Sequence, residues 1–477
     1  MDGSRPSITH YLNVVNTCER ENIMASQNTH RLPYLRNWAR LGIGLIALGN
    51  AVPALAQATT PAGVPASGTS DPAPADAPNG ATAVPAWVAV RAYASGSTSL
   101  SGDTLSATAD DTSLLWASEG AVVAADGLTL TASGNSSSGD ASSFYGLNAP
   151  VLATSGAKIT LQNSTIKASG TGANGIFAYG DGSSVTVSDT AIDVTADLAH
   201  GIMSSGGGTV TATNLLVSTA GKHSAAIATD RGGGTIVSIG GTYITSGEGS
   251  PGLYSTGNLQ SNNEKFTLTG SEAVVVEGSN SATVRGSTFT AANGGVMLYQ
   301  SFSGDAEGSE ATFTMMGGAI TAAAGPMFYV TNATGEFNLS GVALSAASGD
   351  LVKASIDRWG AEGSNGGHAI VNASAQVLEG NLTADSISSI LLNLTNGSSW
   401  TGAATNASVS LDAASVWKVT ADTSLDALTD AAGITGNTIA NITGAATVTY
   451  DATDTANAWL GGNSFSLEGG GSLQPRS

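Results

Sequence analysis

Six residues at near-constant intervals carry the side chains with which this chain could do chemistry: Tyr179, Ser205, Asp230, Thr256, Glu277 and Tyr299. Asp230 and Glu277 are carboxylates, Tyr179 and Tyr299 offer ring faces on which a sugar stacks, and Ser205 and Thr256 add hydroxyls. If each residue sits on a successive turn of one wound chain, Asp230 and Glu277 lie two turns apart, about 10 Å between backbones. That is close to the roughly 6.5–9.5 Å between the carboxyls of an inverting glycosidase. The set reads as a strip of contacts for a ligand, or as a hydrolase centre on Asp230 and Glu277. Carboxylates at this separation also arise by chance in so acidic a chain, and Asp230-Arg231 and Glu277-Gly278 suit turns. The binding strip is therefore the main reading, and the enzyme the alternative.

The element that must position these residues is a repeat. Ile176, Ile202, Ile227, Leu253, Val274 and Val296 recur at steps of 26, 25, 26, 21 and 22 residues, each three positions before one of the six. That period belongs to a solenoid and is too short for the common helical repeats. The intervening sequence alternates small polar and branched residues, as in Ser184-Val185-Thr186-Val187 and Gly208-Thr209-Val210-Thr211, which suits strands. The expected fold is all-β, a right-handed parallel β-helix. Like residues then stack in inward columns: the six aliphatic anchors form one, and Ala178, Ser204, Thr229 and Ser255 form a smaller one two positions on. The column three positions on should face outward. Winding from Leu100 to about Thr447 at roughly 25 residues per turn predicts roughly 14 turns.

Residues 1–56 read as an export signal, with Met24 a candidate true start. Arg31, Arg36 and Arg40 precede an apolar run, Leu41 to Leu48, and Ala54-Leu55-Ala56 forms a cleavage site before Gln57. Cys18, the single cysteine, falls in this part, so the mature chain is expected to have no disulfide, thiolate metal site or lipid anchor. Residues 57–86, rich in Pro and Ala, read as a linker. Residues 87–119 read as a cap or first coil, 120–375 as the helix, interrupted by a polar insertion from Ser301 to Glu310, and 376–477 as further coils and a tail.

Asp230-Arg231-Gly232-Gly233-Gly234, Glu277-Gly278-Ser279-Asn280, Gln300 to Glu307, Arg358-Trp359-Gly360 and Ser364-Asn365-Gly366-Gly367 resemble a family of secreted, adhesin-like right-handed parallel β-helix proteins. Asn396-Gly397-Ser398-Ser399-Trp400-Thr401-Gly402, followed by Ser415-Val416-Trp417-Lys418-Val419, is similar to the end of pertactin-like autotransporter passengers. The resemblance implies a pectin lyase-like fold and surface contact, and it prescribes no activity. After Tyr450 only 27 residues remain, too few for an autotransporter's membrane barrel.

Without residues 1–56, which hold five Arg and three acids, 11 basic residues face 33 acidic ones, a net charge of −22. Such a surface repels nucleic acid and anionic membranes. His200 and His223 are out of register with each other, at two and four residues before their anchors, so no metal site is expected there. No cofactor is implied, and the Asn-x-Ser/Thr triplets such as Asn163-Ser164-Thr165 suit turns. The expectation is a secreted or cell-surface protein without a transmembrane anchor in its mature form, contacting glycans or proteins on cell surfaces. Its alternative is a glycoside hydrolase or lyase on the same scaffold.

Overall fold

The computed structural model describes residues 83–476; the expected signal, Met24, Cys18 and the linker up to residue 82 lie outside the described residues. Residues 83–87 are irregular and winding begins at Val88. The fold is the expected right-handed parallel β-helix, with about 16 turns. That exceeds the roughly 14 expected from an even 25-residue turn. Winding starts earlier and runs on to Arg476, and the late turns are shorter: the strand beginning at Ala404 is followed on the same face by one beginning at Thr423.

Most turns contain three short strands, each pairing in parallel with the equivalent strands above and below. On the first face Ile176 aligns with Ile202, then Ile227, Leu253, Val274 and Val296, so the repeat is the strand register itself. Ala178, Ser204, Thr229 and Ser255 form the smaller buried column. On the third face the column widens into a stack of Tyr243, Phe266 and Phe289, with centroids 4.7 and 4.4 Å apart. Further on, Trp400 and Trp417 stack at 4.7 Å. Face-to-face rings separated by nearly the strand spacing follow from the register, because each ring repeats one turn along.

The corner between the second and third strands is set by one left-handed residue per turn. Asn163, Asp189, Asn214 and Asn263 take φ of 49–54°, and Gly240 and Gly286 take 73° and 65° in the same place. Asn and Asp tolerate this region better than other side chains. They also tie turns together: Asn163 donates to Asp126 and Asn214 to Asp189.

At the next, inward-facing corner position Glu264 is buried. It accepts from the hydroxyls of Ser238 and Ser261, and Ser238 in turn bonds Tyr243. Gly241 leaves the space Tyr243 needs, since a Cβ there would stand 2.7 Å from the phenol oxygen. Across residues 375–376 two ladders continue, Asp350–Ala354 onto Asn381–Ala384 and Gly367–Ser374 onto Ser389–Thr395, whereas the third-face sheet ends at Ala343–Ala346 and Val377–Glu379 pairs onward with Ser399–Gly402. Near the end the pattern gives way to antiparallel pairs, Ile434–Thr435 with Thr438–Thr443 and Phe465–Glu468 with Ser472–Arg476. Among the described residues no helix is long and apolar enough to cross a membrane.

Candidate functional site

Strand alternation puts two outward columns on the first face, one and three positions after each anchor. The nearer comprises Phe177, Met203, Ala228, Tyr254, Val275 and Met297, and the farther is the candidate strip. The strip aligns where strands persist: Tyr179 opposite Ser205, and Glu277 opposite Tyr299.

An outward position was expected to be accessible. Instead Ser205, Asp230, Thr256 and Glu277 are buried, and only Tyr179 and Tyr299 are partly exposed. The reason is a second layer that the repeat does not encode. The short helix Gly139–Tyr145, N-capped by Ser138 and ended by Gly146 in the left-handed conformation, lies over the early turns. Phe144 offers its carbonyl to the Ser205 hydroxyl at 2.5 Å and its ring to the Arg231 guanidinium at 3.9 Å. Gly146 is required by close approach as well as by φ, since a Cβ would meet Leu152 and Phe177 at 2.7 Å. Beneath this layer Phe177, Met203 and Ala228 are wholly buried.

Over the middle turns lies the insertion after Gln300. Arg231 reaches Asp305 at 3.6 Å, and Ser301 donates to Glu277 through both its backbone N–H, at 3.2 Å, and its hydroxyl. The other oxygen of Glu277 accepts from Tyr254 at 2.7 Å and Tyr299 at 2.8 Å. Glu277 therefore clamps two rings and one loop. Burial pushes both phenols well above the ordinary tyrosine range, with Tyr299 and Glu277 adding to it at Tyr254 and Glu277 at Tyr299, so they remain donors. Burial first, then the neighbouring carboxyls, raises Asp230 well above the usual carboxylate range, and burial likewise raises Asp305.

Beside the clamp opens a cleft of about 360 Å³, the size of a small-ligand site. One wall is aromatic: Tyr254, Tyr299 and Trp359, the last packed on Tyr299 at 4.7 Å between centroids. Trp359 comes from a second excursion, residues 355–366, held by Asn365 donating to the carbonyls of Asp357 and Trp359. The rest of the rim includes His200, His223, Glu272, Asp305 and Arg358.

His200, although out of strand register with His223, shares the cleft with it. Its Nδ1 accepts from Ala225 N–H at 3.0 Å, which fixes the neutral ring with its proton on Nε2. Burial and the adjacent His223 lower its pKa to about 4. Among the described residues no group of three or more His, Cys, Asp or Glu is arranged to hold a metal ion.

Of the six strip residues only Tyr299 lines this cleft. Tyr179 instead joins Trp87 and Tyr145, at 5.9 and 5.1 Å between centroids. Asp230 and Glu277 lie below the surface, and Glu277 is saturated by donors. The residues missed by the register were Tyr254, Glu272, Asp305, Arg358 and Trp359. Tyr254 carried a signal, since it belongs to the other outward column; Asp305 carried the mark of the insertion, Arg358 and Trp359 only the family resemblance of Arg358-Trp359-Gly360, and Glu272 none. Comparison with family models, curated proteins and solved structures returns no match to this chain.

Proposed function

We propose that this β-helix is a secreted or surface-displayed, adhesin-like binding protein that holds a saccharide segment in the first-face cleft without cleaving it. The observation that carries the reading is the aromatic wall of Tyr254, Tyr299 and Trp359, whose two tyrosines are held from behind by Glu277. Sugar rings present flat C–H faces to aromatic rings and hydroxyls to the surrounding polar groups, and a pre-ordered wall avoids an ordering cost on binding. A non-catalytic role is supported by the burial of Asp230 and by Glu277 having both oxygens engaged. The export signal and acidic composition of the sequence support a place outside the cell.

The test is retention of the purified chain on immobilised glycans, with reducing and unsaturated ends followed in parallel. Retention lost in Trp359→Ala, with no new ends released, supports the reading. Retention unaffected by Trp359→Ala refutes it. A second reading, a hydrolase, draws on one observation: Asp305 lines the cleft with its carboxyl raised by burial, the condition of a general acid. Release of ends by the wild type that disappears in Asp305→Asn would establish it.

A further inference from the structure

The cleft's polar groups are unevenly committed, and the imbalance identifies a ligand class. Arg358 lies over the Trp359 indole, 4.3 Å from guanidinium carbon to ring centroid, and makes no salt bridge to a described residue. The adjacent Asp357 makes no ion pair with it; its carboxylate instead accepts from Tyr329 at 2.9 Å and from the Arg358 backbone at 2.7 Å. His200 has spent Nδ1 on Ala225, and its remaining polar atom, Nε2, has no partner among the described residues. On the acceptor side, Asp305 is already paired with Arg231, and Glu272 accepts from Ser271 at 3.0 Å. In a chain with so few cations, a guanidinium lying over an indole and left unpaired beside an aromatic wall is a feature that a ligand would complete.

We propose that the cleft selects a saccharide bearing an anionic group, a uronic acid, whose carboxylate is taken by Arg358 while the His200 Nε2–H donates to another of its oxygens. The inference rests on the cleft being a glycan site. A planar guanidinium pairs with a carboxylate through two parallel hydrogen bonds, and its contact with the Trp359 indole keeps it at the cleft. His200 stays neutral, so its donation needs no protonation. Glu272 opposes any anion in the cleft and thereby sets where the ligand's charge can lie, toward Arg358.

The test uses a uronic-acid oligosaccharide, the same oligosaccharide with its carboxyls reduced to alcohols, and a sulfated oligosaccharide of matching length, each titrated calorimetrically into the full chain. The expected result is uronate binding about tenfold tighter than binding of the reduced form. Arg358→Gln should remove that difference by weakening uronate binding to the level of the reduced form. Glu272→Gln should strengthen uronate binding. Equal affinity for uronate and reduced ligand, or an Arg358→Gln variant that keeps the preference, overturns the anionic assignment while leaving the glycan site standing. Preference for the sulfated ligand overturns the uronate assignment. Failure of all three to bind refutes the glycan reading itself, and the anionic inference with it.

Discussion

Tyr254 and Tyr299 stand on the turns either side of Glu277 and donate to the same carboxyl oxygen, at 2.7 and 2.8 Å. The opposite oxygen takes both donors of Ser301, so one buried side chain fixes the aromatic wall and the loop above it. Glu277→Gln places an amide N–H₂ against donors on one side or the other. A hydrogen bond to a buried charged group is worth about 1.5–3 kcal/mol, and the loss should fall on the loop. Limited proteolysis should show faster cleavage between Gln300 and Glu310 in the variant, with the turns from Ile176 to Leu268 unaffected. Unchanged cleavage would mean that the loop is held without Glu277, by Arg231, by Gln300 donating to the Ala306 and Gly308 carbonyls, and by Ser279.

The inward half of this structure was legible because a parallel β-helix writes its register into sequence: Ile176 to Val296 repeat because each packs on its neighbour. The outer layer was not. The helix Gly139–Tyr145 and the excursions carrying Asp305 and Trp359 occur once each, so no period reveals that they fold back over Ser205, Asp230 and Glu277. Alternation tells which way a side chain points, and not what else comes to cover it.

Glu264 makes the fold's stability depend on pH. Burial raises its pKa above the usual carboxylate range, against the hydroxyls that lower it. A carboxyl raised in the folded state contributes stability fully below its unfolded pKa and loses it as pH rises through the folded value. Asp230, Asp305 and Asp430 share this sign, whereas His200, lowered to about 4, has the opposite one between its unfolded value and 4. The carboxyls outnumber it, so denaturation midpoints should rise as pH falls from 7 to 5. Glu264→Gln should flatten that rise. A steeper rise in the variant would show that Glu264 is not one of its sources.

Trp417 offers a test of how far a perturbation travels. Its ring stacks on Trp400 and its indole donates to the Gly402 carbonyl at 3.1 Å, and it is fully buried. Trp417→Ala should cost about 3–5 kcal/mol. In a solenoid each turn contacts only its neighbours, so the loss should stay local. Hydrogen exchange should quicken across the strands Ser399–Gly402, Val416–Val419 and Thr438–Thr443, while protection at Ile176 to Val296 persists. Uniform loss of protection would instead show one cooperative unit.

Arg231 is the joint between the helix layer and the loop layer, with its guanidinium on Phe144 and its charge paired with Asp305. Arg231→Met keeps an apolar stem against Phe144 and removes the charge. Asp305, already raised by burial and by Glu277 and offset in part by Arg231, should then rise further. The sign is again that of a raised carboxyl: docking of the loop is intact where Asp305 is protonated and weakens as pH increases. Proteolysis of the variant between Gln300 and Glu310 should match the wild type near pH 5 and exceed it severalfold near pH 8. Double substitution with Asp305→Asn, which cannot ionise, should abolish the pH dependence. If the double variant kept it, the dependence would have to come from Asp230 beneath the loop.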